Sequence, residues 1–403
     1  MSGAVVARQP VLNRRMGLVA YELLYRGSPQ PVAGERETWG NRATSEVLVN
    51  LLTERELERL VGRHPVFVNL TREFLLELPQ LPLDQDRLVL EVLEDVAVDE
   101  ALLVSLRRLS RRGFTIALDD FVLADDKRPL LEIADIIKLD VREHDTDSLR
   151  GVVTELKGSG VRLLAEKVET PEEFQYCRSL GFELFQGFFF ARPRKVKGRG
   201  ASPDRINVIR LLGRLQDPEL TLEEVTDLVS QNPYLSFRLL RLINSAYFPF
   251  RKEVESVARA VTLMGLNPVR TWATWLTMAG VPDKPPELAV TTLVRAQMAA
   301  SLGQSLGERP RDQHFTVGLF STLDALLDRP LAEAVESLPL TEEVTAALLR
   351  GEGVLGRVLT VVLRYERGGW EGTAEALALP PGRIGEAYRE AVAWAEALRE
   401  ELG

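Results

Sequence analysis

Residues 87–120, RLVLEVLEDVAVDEALLVSLRRLSRRGFTIALDD, decide the fold of the first half of this 403-residue chain. A short aliphatic run, RLVLEVL, comes first, and a stretch with helical spacing, DEALLVSLRRLSRRG, follows it. A second strand-like run, FTIALDD, ends the segment. Strands that alternate with helical stretches are typical of βα units and a parallel sheet. The segment therefore predicts one repeat of a parallel α/β fold.

The same alternation extends on both sides of this segment, up to about residue 190. Pro171 and a capping box between Thr170 and Glu173 predict the start of one intervening helix, and Thr53 with Glu56 predicts another. Seven strand-like runs in fewer than 200 residues predict a barrel rather than a small open sheet. The runs are LVAYELLYR, PVFVNL, RLVLEVL, FTIALDD, DIIKLD, VRLLAEKVE and ELFQGFFF.

The second half of the chain has a different pattern. The stretch ARPRKVKGRGASPD, residues 191–204, is rich in glycine, proline and basic residues, which indicates a linker. From Arg205 onward the pattern is helical, and Thr221 with Glu224 forms another capping box. We therefore expect an α/β barrel domain at 1–193, a linker at 194–204 and an all-α domain at 205–403.

Composition narrows the classes of function. The chain is 45% apolar and 27% charged, which is typical of a globular protein. Its net charge of −9 disfavours direct binding to nucleic acid. No apolar run approaches 18 residues and no secretory signal is visible, so neither a membrane span nor export is expected. The single cysteine, Cys177, is expected to be a buried apolar side chain, and its isolation points to a reducing, cytoplasmic location.

Polar side chains follow the strand-like runs, and from Asn69 onward they recur at intervals of 19 to 28 residues, close to one βα unit each. In a barrel, the carboxyl ends of parallel strands converge on one mouth. Carboxylate and amide oxygens there suit Mg²⁺ or Mn²⁺, and two such ions are a device for phosphodiester hydrolysis. The residues in these positions are Glu22, Asn69, Glu91, Asp119, Asp120, Lys138, Glu166 and Gln186.

With these motifs in place, residues 4–194 resemble the EAL family of cyclic di-GMP phosphodiesterases. YELLYR is similar to the motif that names the family, with Leu23 where alanine is usual. The resemblance implies a barrel of the TIM type and the family's order of site motifs. The other matching stretches are FVNLT, LEVLED, LDDF, IIKLD, AEKVET and FQGFFFARP.

The resemblance also implies a role for each matching residue. A first metal ion would be held by Glu22, Asn69, Glu91 and Asp119, and a second by Asp119, Asp120 and Glu166. Lys138 would stand beside the attacking water, so that Lys138, Glu166 and Glu169 form the expected catalytic set. Arg26 would face a phosphate of the ligand, and Gln186 is expected to contribute to ligand binding and to support the site.

Two departures from the family pattern bear on turnover. Active members carry a loop rich in glycine and serine after the aspartate pair, and here the chain has DDFVLADDKRPLL at 119–131. A lysine, Lys167, stands where the family has a glycine. With the metal ligands retained and the loop altered, we expect nucleotide binding more strongly than hydrolysis.

The helical half resembles the HDOD domain, an all-α relative of the HD phosphohydrolases. The resemblance lies in VSQNPYLSFRLLRLINSAYF and VARAVTLMGLNPVR, at about residues 228–270. HD enzymes need clustered His and Asp ligands. His314 is the one histidine of this half, so we expect an interaction or output module without an HD metal site.

Three functions stand foremost from the sequence, with a magnesium-dependent barrel enzyme of another substrate as a distant fourth, since fold alone does not fix chemistry. The first is a signalling protein that binds cyclic di-GMP at the barrel mouth and reports it to an unidentified signalling protein through the HDOD domain. The second is an active phosphodiesterase that produces pGpG under HDOD control. The third is a scaffold that binds no nucleotide. A homodimer is possible in each case.

Overall fold

The chain divides into two compact units, Met1–Phe190 and Ala191–Gly403. The computed structural model describes residues 5–26, 54–77, 85–122, 125–193, 203–245, 248, 250, 254–281, 284–307 and 311–402, with the backbone alone at some element ends. Among these residues no helix is both long enough and apolar enough to cross a membrane.

The first unit is a closed barrel of eight strands that are neighbours in chain order. Strands β2 to β8 pair in parallel, whereas β1 runs antiparallel to both of its neighbours, β2 and β8. The predicted barrel is thus confirmed. The strands are β1 Val5–Asn13, β2 Leu18–Arg26, β3 Val66–Leu70, β4 Leu88–Val92, β5 Thr115–Leu118, β6 Ile136–Asp140, β7 Arg162–Glu166 and β8 Leu184–Gln186.

Strand β1 is the one that the sequence pattern did not predict. Arg8, Gln9 and Pro10 interrupt its apolar alternation, and a proline within a run argues against a central strand. A tight turn aligns it with β2, because the side-chain oxygen of Asn13 accepts hydrogen bonds from the backbone N–H groups of Arg15 and Gly17 at 2.8 and 3.0 Å. An antiparallel hairpin therefore supplies the eighth strand that closes the barrel.

A layer of buried apolar side chains fills the interior of the barrel, and every strand contributes one of them. Such a plug makes the barrel a packed core rather than a pore. Polar groups that converge on the barrel must therefore lie above this layer, at its mouth. The layer consists of Val11, Ala20, Phe67, Val89, Ala117, Ile136, Leu164 and Leu184.

Helices cover the outside of the barrel, which is why β4 and β6 are buried along their full length. The capping box between Thr170 and Glu173 is confirmed at the start of α5, whereas Thr53 lies outside the described residues. The helices are α1 Glu54–Val61, α2 Arg72–Glu77, α3 Glu100–Arg111, α4 Thr146–Leu156 and α5 Pro171–Leu180, with 3₁₀ turns at Gln85–Arg87, Asp125–Glu132 and Phe188–Ala191.

The second unit is helical wherever its regular elements are described, which confirms the all-α prediction. The capping box between Thr221 and Glu224 is also present, at the start of α7. The helices are α6 Pro203–Leu215, α7 Leu222–Ser230, α8 Pro233–Ile243, α9 Val257–Met264, α10 Leu266–Ala279, α11 Pro286–Ser305, α12 Arg311–Phe320, α13 Leu323–Leu327, α14 Leu331–Glu336, α15 Glu342–Arg350, α16 Gly353–Glu366, α17 Thr373–Leu377 and α18 Pro381–Leu402.

Helix α11 runs through the core of the second unit and is buried on most of its sides. Helix α12 packs closely against it because Gly318 has no side chain. A Cβ at Gly318 would lie 2.6 Å from the Cα of Ala296. One charged pair is buried here, where Arg295 of α11 donates two hydrogen bonds of 2.7 and 2.9 Å to the carboxylate of Glu366.

Candidate functional site

A polar layer lies directly above the apolar layer of the barrel. Side chains two residues apart on a strand point to the same face, so the residue that follows each plug residue by two also faces the interior. On the antiparallel strand β1 the corresponding residue precedes the plug residue by two. The polar layer is Gln9, Glu22, Asn69, Glu91, Asp119, Lys138, Glu166 and Gln186, one from each strand or strand end.

The ammonium of Lys138 lies at the centre of this layer. Its Nζ is 2.6 Å from a carboxylate oxygen of Glu91, 2.6 Å from Asp119, 2.8 Å from Glu166 and 3.2 Å from Glu22. Both Lys138 and Glu91 are 0% exposed. Four carboxylates that are distant in the sequence therefore share one buried cation.

This excess of buried negative charge changes the pKa values of the layer. Burial, followed by repulsion from Glu22, raises the pKa of Glu91 well above its usual range, although Lys138 opposes the shift. Burial likewise raises the pKa of Glu166 to about 8. Burial disfavours the charged form of Lys138, yet the four carboxylates outweigh it and hold its pKa well above the ordinary value. The cluster therefore favours an additional cation or additional protons.

Two amide side chains orient Glu22. Asn69 donates a hydrogen bond of 3.2 Å to one of its oxygens, and Gln186 donates a hydrogen bond of 2.6 Å to the other. The same amide nitrogen of Gln186 lies 2.8 Å from the side-chain oxygen of Gln9. Gln9 is a member of the layer that the sequence analysis missed, because it lies on the unpredicted strand β1. Gln9 lies two residues from the plug residue Val11, so the two side chains face the same side of β1, and this spacing could have predicted that Gln9 faces the barrel interior.

A second, more exposed group lies beside the first. The Nζ of Lys167 donates a hydrogen bond of 2.5 Å to Asp140 and lies 3.9 Å from a carboxylate oxygen of Asp120. The hydrogen bond to Asp140 raises the pKa of Lys167, and burial raises that of Asp120. Asp120 and Lys167 both have left-handed backbones, with φ of 41° and 54°. Strained conformations of this kind concentrate at functional sites.

Comparison with known proteins identifies both halves of the chain. The family model described as EAL domain matches residues 63–193, and that described as HDOD domain matches residues 203–350. A protein of Vibrio cholerae named cyclic di-GMP phosphodiesterase CdgJ is 32% identical over 376 residues, which cover 92% of this chain and 86% of CdgJ. This chain belongs to the EAL–HDOD family.

Two further similarities complete the comparison of this EAL–HDOD protein. The Bacillus subtilis protein named uncharacterized protein YuxH is 30% identical to it, with 98% of each chain covered. A solved structure titled PaMucR phosphodiesterase, c-di-GMP complex, has 24% identity and a TM-score of 0.40, covering 48% of this chain and 97% of that one.

Some residues predicted for the site lie apart from the cluster of the EAL domain. The carboxylate of Glu169 contacts Arg142 at 3.2 Å in a partly exposed ion pair rather than Lys138. The backbone of Arg26 ends β2, and its side chain lies outside the described part of the structure.

In the altered loop, Lys127 donates a hydrogen bond of 2.8 Å to the backbone carbonyl of Glu94, so a lysine links this loop to the segment that follows β4.

The donor set of the EAL domain fits a divalent cation. Lys138 forms an ion pair with Glu91 at 2.6 Å, and neither buried oxygen of Glu91 has a further hydrogen-bond donor among the described residues. Buried oxygens of Asp120 and Gln186 lack one too. Among the described residues no three acidic, His or Cys side chains already surround a metal position, because the carboxylates turn toward the ammonium.

The HDOD domain has a different chemistry. His314 is 3% exposed, packed against α11 where a side chain at Gly303 would overlap its ring. Within the described part of this domain, no group of three His, Cys, Asp or Glu side chains is arranged to hold a metal ion. The domain thus presents a helical core with no HD-type cluster among the residues described.

Proposed function

We propose that this protein binds cyclic di-GMP together with a divalent cation at the mouth of its EAL barrel, and that the HDOD domain passes the bound state to a protein partner. One observation carries the proposal: four strand-end carboxylates converge on Lys138 within 3.2 Å, above an apolar plug. The similarity to CdgJ over 92% of the chain, a protein named for cyclic di-GMP, supports the choice of ligand.

The residues have distinct roles in this proposal. Glu22, Asn69, Glu91 and Asp119 hold a first divalent cation, Mg²⁺ or Mn²⁺, with oxygen atoms of the kind that both ions prefer. Asp120 and Glu166, with Asp119, are the candidates for a second position. Arg26 takes a phosphate of the nucleotide, since a guanidinium fork matches phosphate oxygens. The two domains correspond to residues 1–193 and 205–403, joined by the linker 194–204, and the division of the chain near residue 190 supports these bounds.

Hydrolysis to pGpG is the second candidate function. It is supported by the position of the Lys138 ammonium at the centre of the four carboxylates. A bound divalent cation supplies an activated water and charge stabilisation in this type of chemistry. The ammonium of Lys138 would hold that water in place and stabilise the charge that develops on the phosphodiester. Glu166, whose pKa burial raises in the metal-free protein, would be ionised beside a bound cation and would help to hold it. Glu169 would support the arrangement from the rim of the site.

Incubation of the purified full chain with cyclic di-GMP tests both candidates. Binding is measured by calorimetry in Mn²⁺ and in EDTA, and the nucleotide is identified chromatographically over time. We expect Mn²⁺-dependent binding that Glu91→Gln weakens about tenfold or more, because one metal-binding oxygen is lost. Glu183→Gln is the matched control, since Glu183 is exposed and precedes β8 at the opposite end of the barrel. Equal binding by wild type and Glu91→Gln would refute the site.

Product formation separates the candidates. Release of pGpG in Mn²⁺ would establish hydrolysis, and unchanged nucleotide with a bound fraction would establish a receptor. Arg26→Ala tests the proposed contact between Arg26 and a phosphate of the nucleotide. If wild type binds the nucleotide and Arg26→Ala binds it equally well, the assignment of Arg26 is wrong.

A further inference from the structure

The connection from β7 to α5 holds Lys167 in a conformation that lysine rarely adopts. Its φ is 54°, in the left-handed region. The neighbouring residue Val168 fixes this backbone, because its N–H donates to the carbonyl of Gln186 at 3.0 Å and its carbonyl accepts from the N–H of Phe189. A Cβ at Gly187 would overlap the backbone of Val168, so the two segments are in close contact. The fold therefore maintains the unusual backbone of Lys167.

This backbone directs the ammonium of Lys167 toward two acids of the mouth. One oxygen of Asp140 accepts from Lys167 at 2.5 Å, and its other oxygen accepts from the backbone N–H of Arg142 at 2.9 Å. Asp140 is 6% exposed, so this ion pair is sheltered on the acid's side. The same ammonium is 3.9 Å from Asp120. Lys167 is thus a cation tethered at the more exposed side of the site.

Lys138 contacts acids of both proposed metal positions and so does not distinguish them, whereas Lys167 faces an acid proposed for the second position. Asp119 and Glu166 contact Lys138, and Asp120 faces Lys167. A second divalent cation near Asp120 would be repelled by the ammonium of Lys167 a few ångströms away. At the effective dielectric constant of a protein surface, such repulsion lowers affinity by about tenfold or more.

We propose that Lys167 is a resident counter-ion that takes the place of the second divalent cation, so that this EAL domain binds one ion tightly and a second one weakly. The inference rests on the proposed metal-dependent nucleotide site and adds a determinant of its metal occupancy. Asp140 and Asp120 hold the ammonium at the side of the mouth where Asp120 lies, so its charge acts mainly on the second position and less on the first, around Glu22 and Glu91.

Titration of the EDTA-treated, dialysed full chain with Mn²⁺ tests the inference without any measurement of activity. Free Mn²⁺ is followed by its electron paramagnetic resonance signal, and frozen samples are examined for the signal of coupled Mn²⁺ pairs. We expect one tight site in wild type and a second site weaker by about tenfold or more. Lys167→Met keeps an unbranched side chain and removes the charge. In this variant the second site should tighten by about tenfold or more and the pair signal should appear at two equivalents.

Three further variants make the result specific. Lys167→Gly removes the charge and suits the left-handed backbone, so it should behave like Lys167→Met even if the methionine variant folds poorly. Lys167→Arg keeps the charge and should behave like wild type. Lys157→Met removes one positive charge from an exposed position between α4 and β7, away from the mouth, and should also match wild type.

The possible outcomes distinguish this inference from the proposed function. Two equally tight sites in wild type, or no change in Lys167→Met and Lys167→Gly, would overturn the role of Lys167 while the nucleotide site stands. If none of these proteins, wild type included, takes up Mn²⁺, the metal site itself is overturned and the inference with it. Mn²⁺ occupancies as expected but no cyclic di-GMP binding would support the role of Lys167 and refute the proposed ligand.

Discussion

Two buried basic side chains, Lys138 in the EAL domain and Arg295 in the HDOD domain, have opposite surroundings. Arg295 meets one carboxylate in two parallel hydrogen bonds, so the pair is neutral and geometrically complete. Lys138 meets four carboxylates, so its cluster carries more negative than positive charge. Burial alone would lower the pKa of either base, and the acids raise it in both. A balanced pair completes a core, whereas an unbalanced cluster is suited to take up a cation.

The largest effect is expected for Glu366→Ala, which leaves the guanidinium of Arg295 buried without its carboxylate partner. Loss of one member of a buried ion pair costs about 3–5 kcal/mol. The free energy of unfolding is measured in urea by tryptophan fluorescence, which reports mainly on the HDOD domain because Trp272, Trp275, Trp370 and Trp394 lie there. We expect that Mn²⁺ does not restore the loss.

The double variant Arg295→Met/Glu366→Leu is the control for this prediction. Replacing a buried ion pair by apolar side chains of similar volume is often neutral or stabilising, so this protein should unfold close to wild type. A single variant that loses less than about 1 kcal/mol would contradict the structural role of the pair.

The corresponding change in the barrel, Lys138→Met, is expected to have a smaller effect that depends on metal. Without metal the four carboxylates lose their shared cation, but they can bind protons, so we expect a loss of about 2–3 kcal/mol. Mn²⁺ at a hundred times its dissociation constant should restore about 2.7 kcal/mol, since it binds the folded barrel. Protection of Cys177 from alkylation across a urea series measures the stability of the barrel, because Cys177 lies on α5.

The outcome for Lys138→Met tests the interpretation of the unbalanced cluster directly. A loss that Mn²⁺ leaves unchanged would mean that the carboxylates form a structural network like the pair in the HDOD domain. Glu183→Gln, which changes an exposed acid at the other end of the barrel, should show neither the loss nor the recovery.

The sequence predicted the members of the charged layer better than their arrangement. Strand ends recur at one βα unit, and parallel strands bring them to one mouth, so Glu91 and Lys138 followed from local pattern and topology. Gln9 was missed because the neighbouring Pro10 argues against a central strand, so β1 was not predicted. The pair of Arg295 and Glu366 has no local signal, since the two residues are 71 positions apart on different helices. The contact of Lys167 with Asp140 required the left-handed backbone, which nothing in a lysine's identity predicts.

A last prediction concerns Cys177, whose reactivity reports on the barrel alone. The side chain is 1% exposed, as the sequence analysis predicted, and burial raises the pKa of its thiol to about 12. The thiolate is the reactive form, so at pH 8 alkylation by iodoacetamide should be about a thousandfold slower in the native chain than in urea.

The pH dependence of that reaction separates thiol ionisation from opening of the barrel. In the unfolded chain the rate should level off above about pH 9, close to the ordinary pKa of cysteine. In native wild type it should still rise beyond that pH, because the folded thiol remains protonated until about pH 12. Metal-free Lys138→Met should react faster than wild type, since its barrel opens more often, whereas Glu366→Ala should not. Faster reaction in Glu366→Ala would mean that the buried pair of the HDOD domain also stabilises the barrel, and the two domains would then not be separate units of stability.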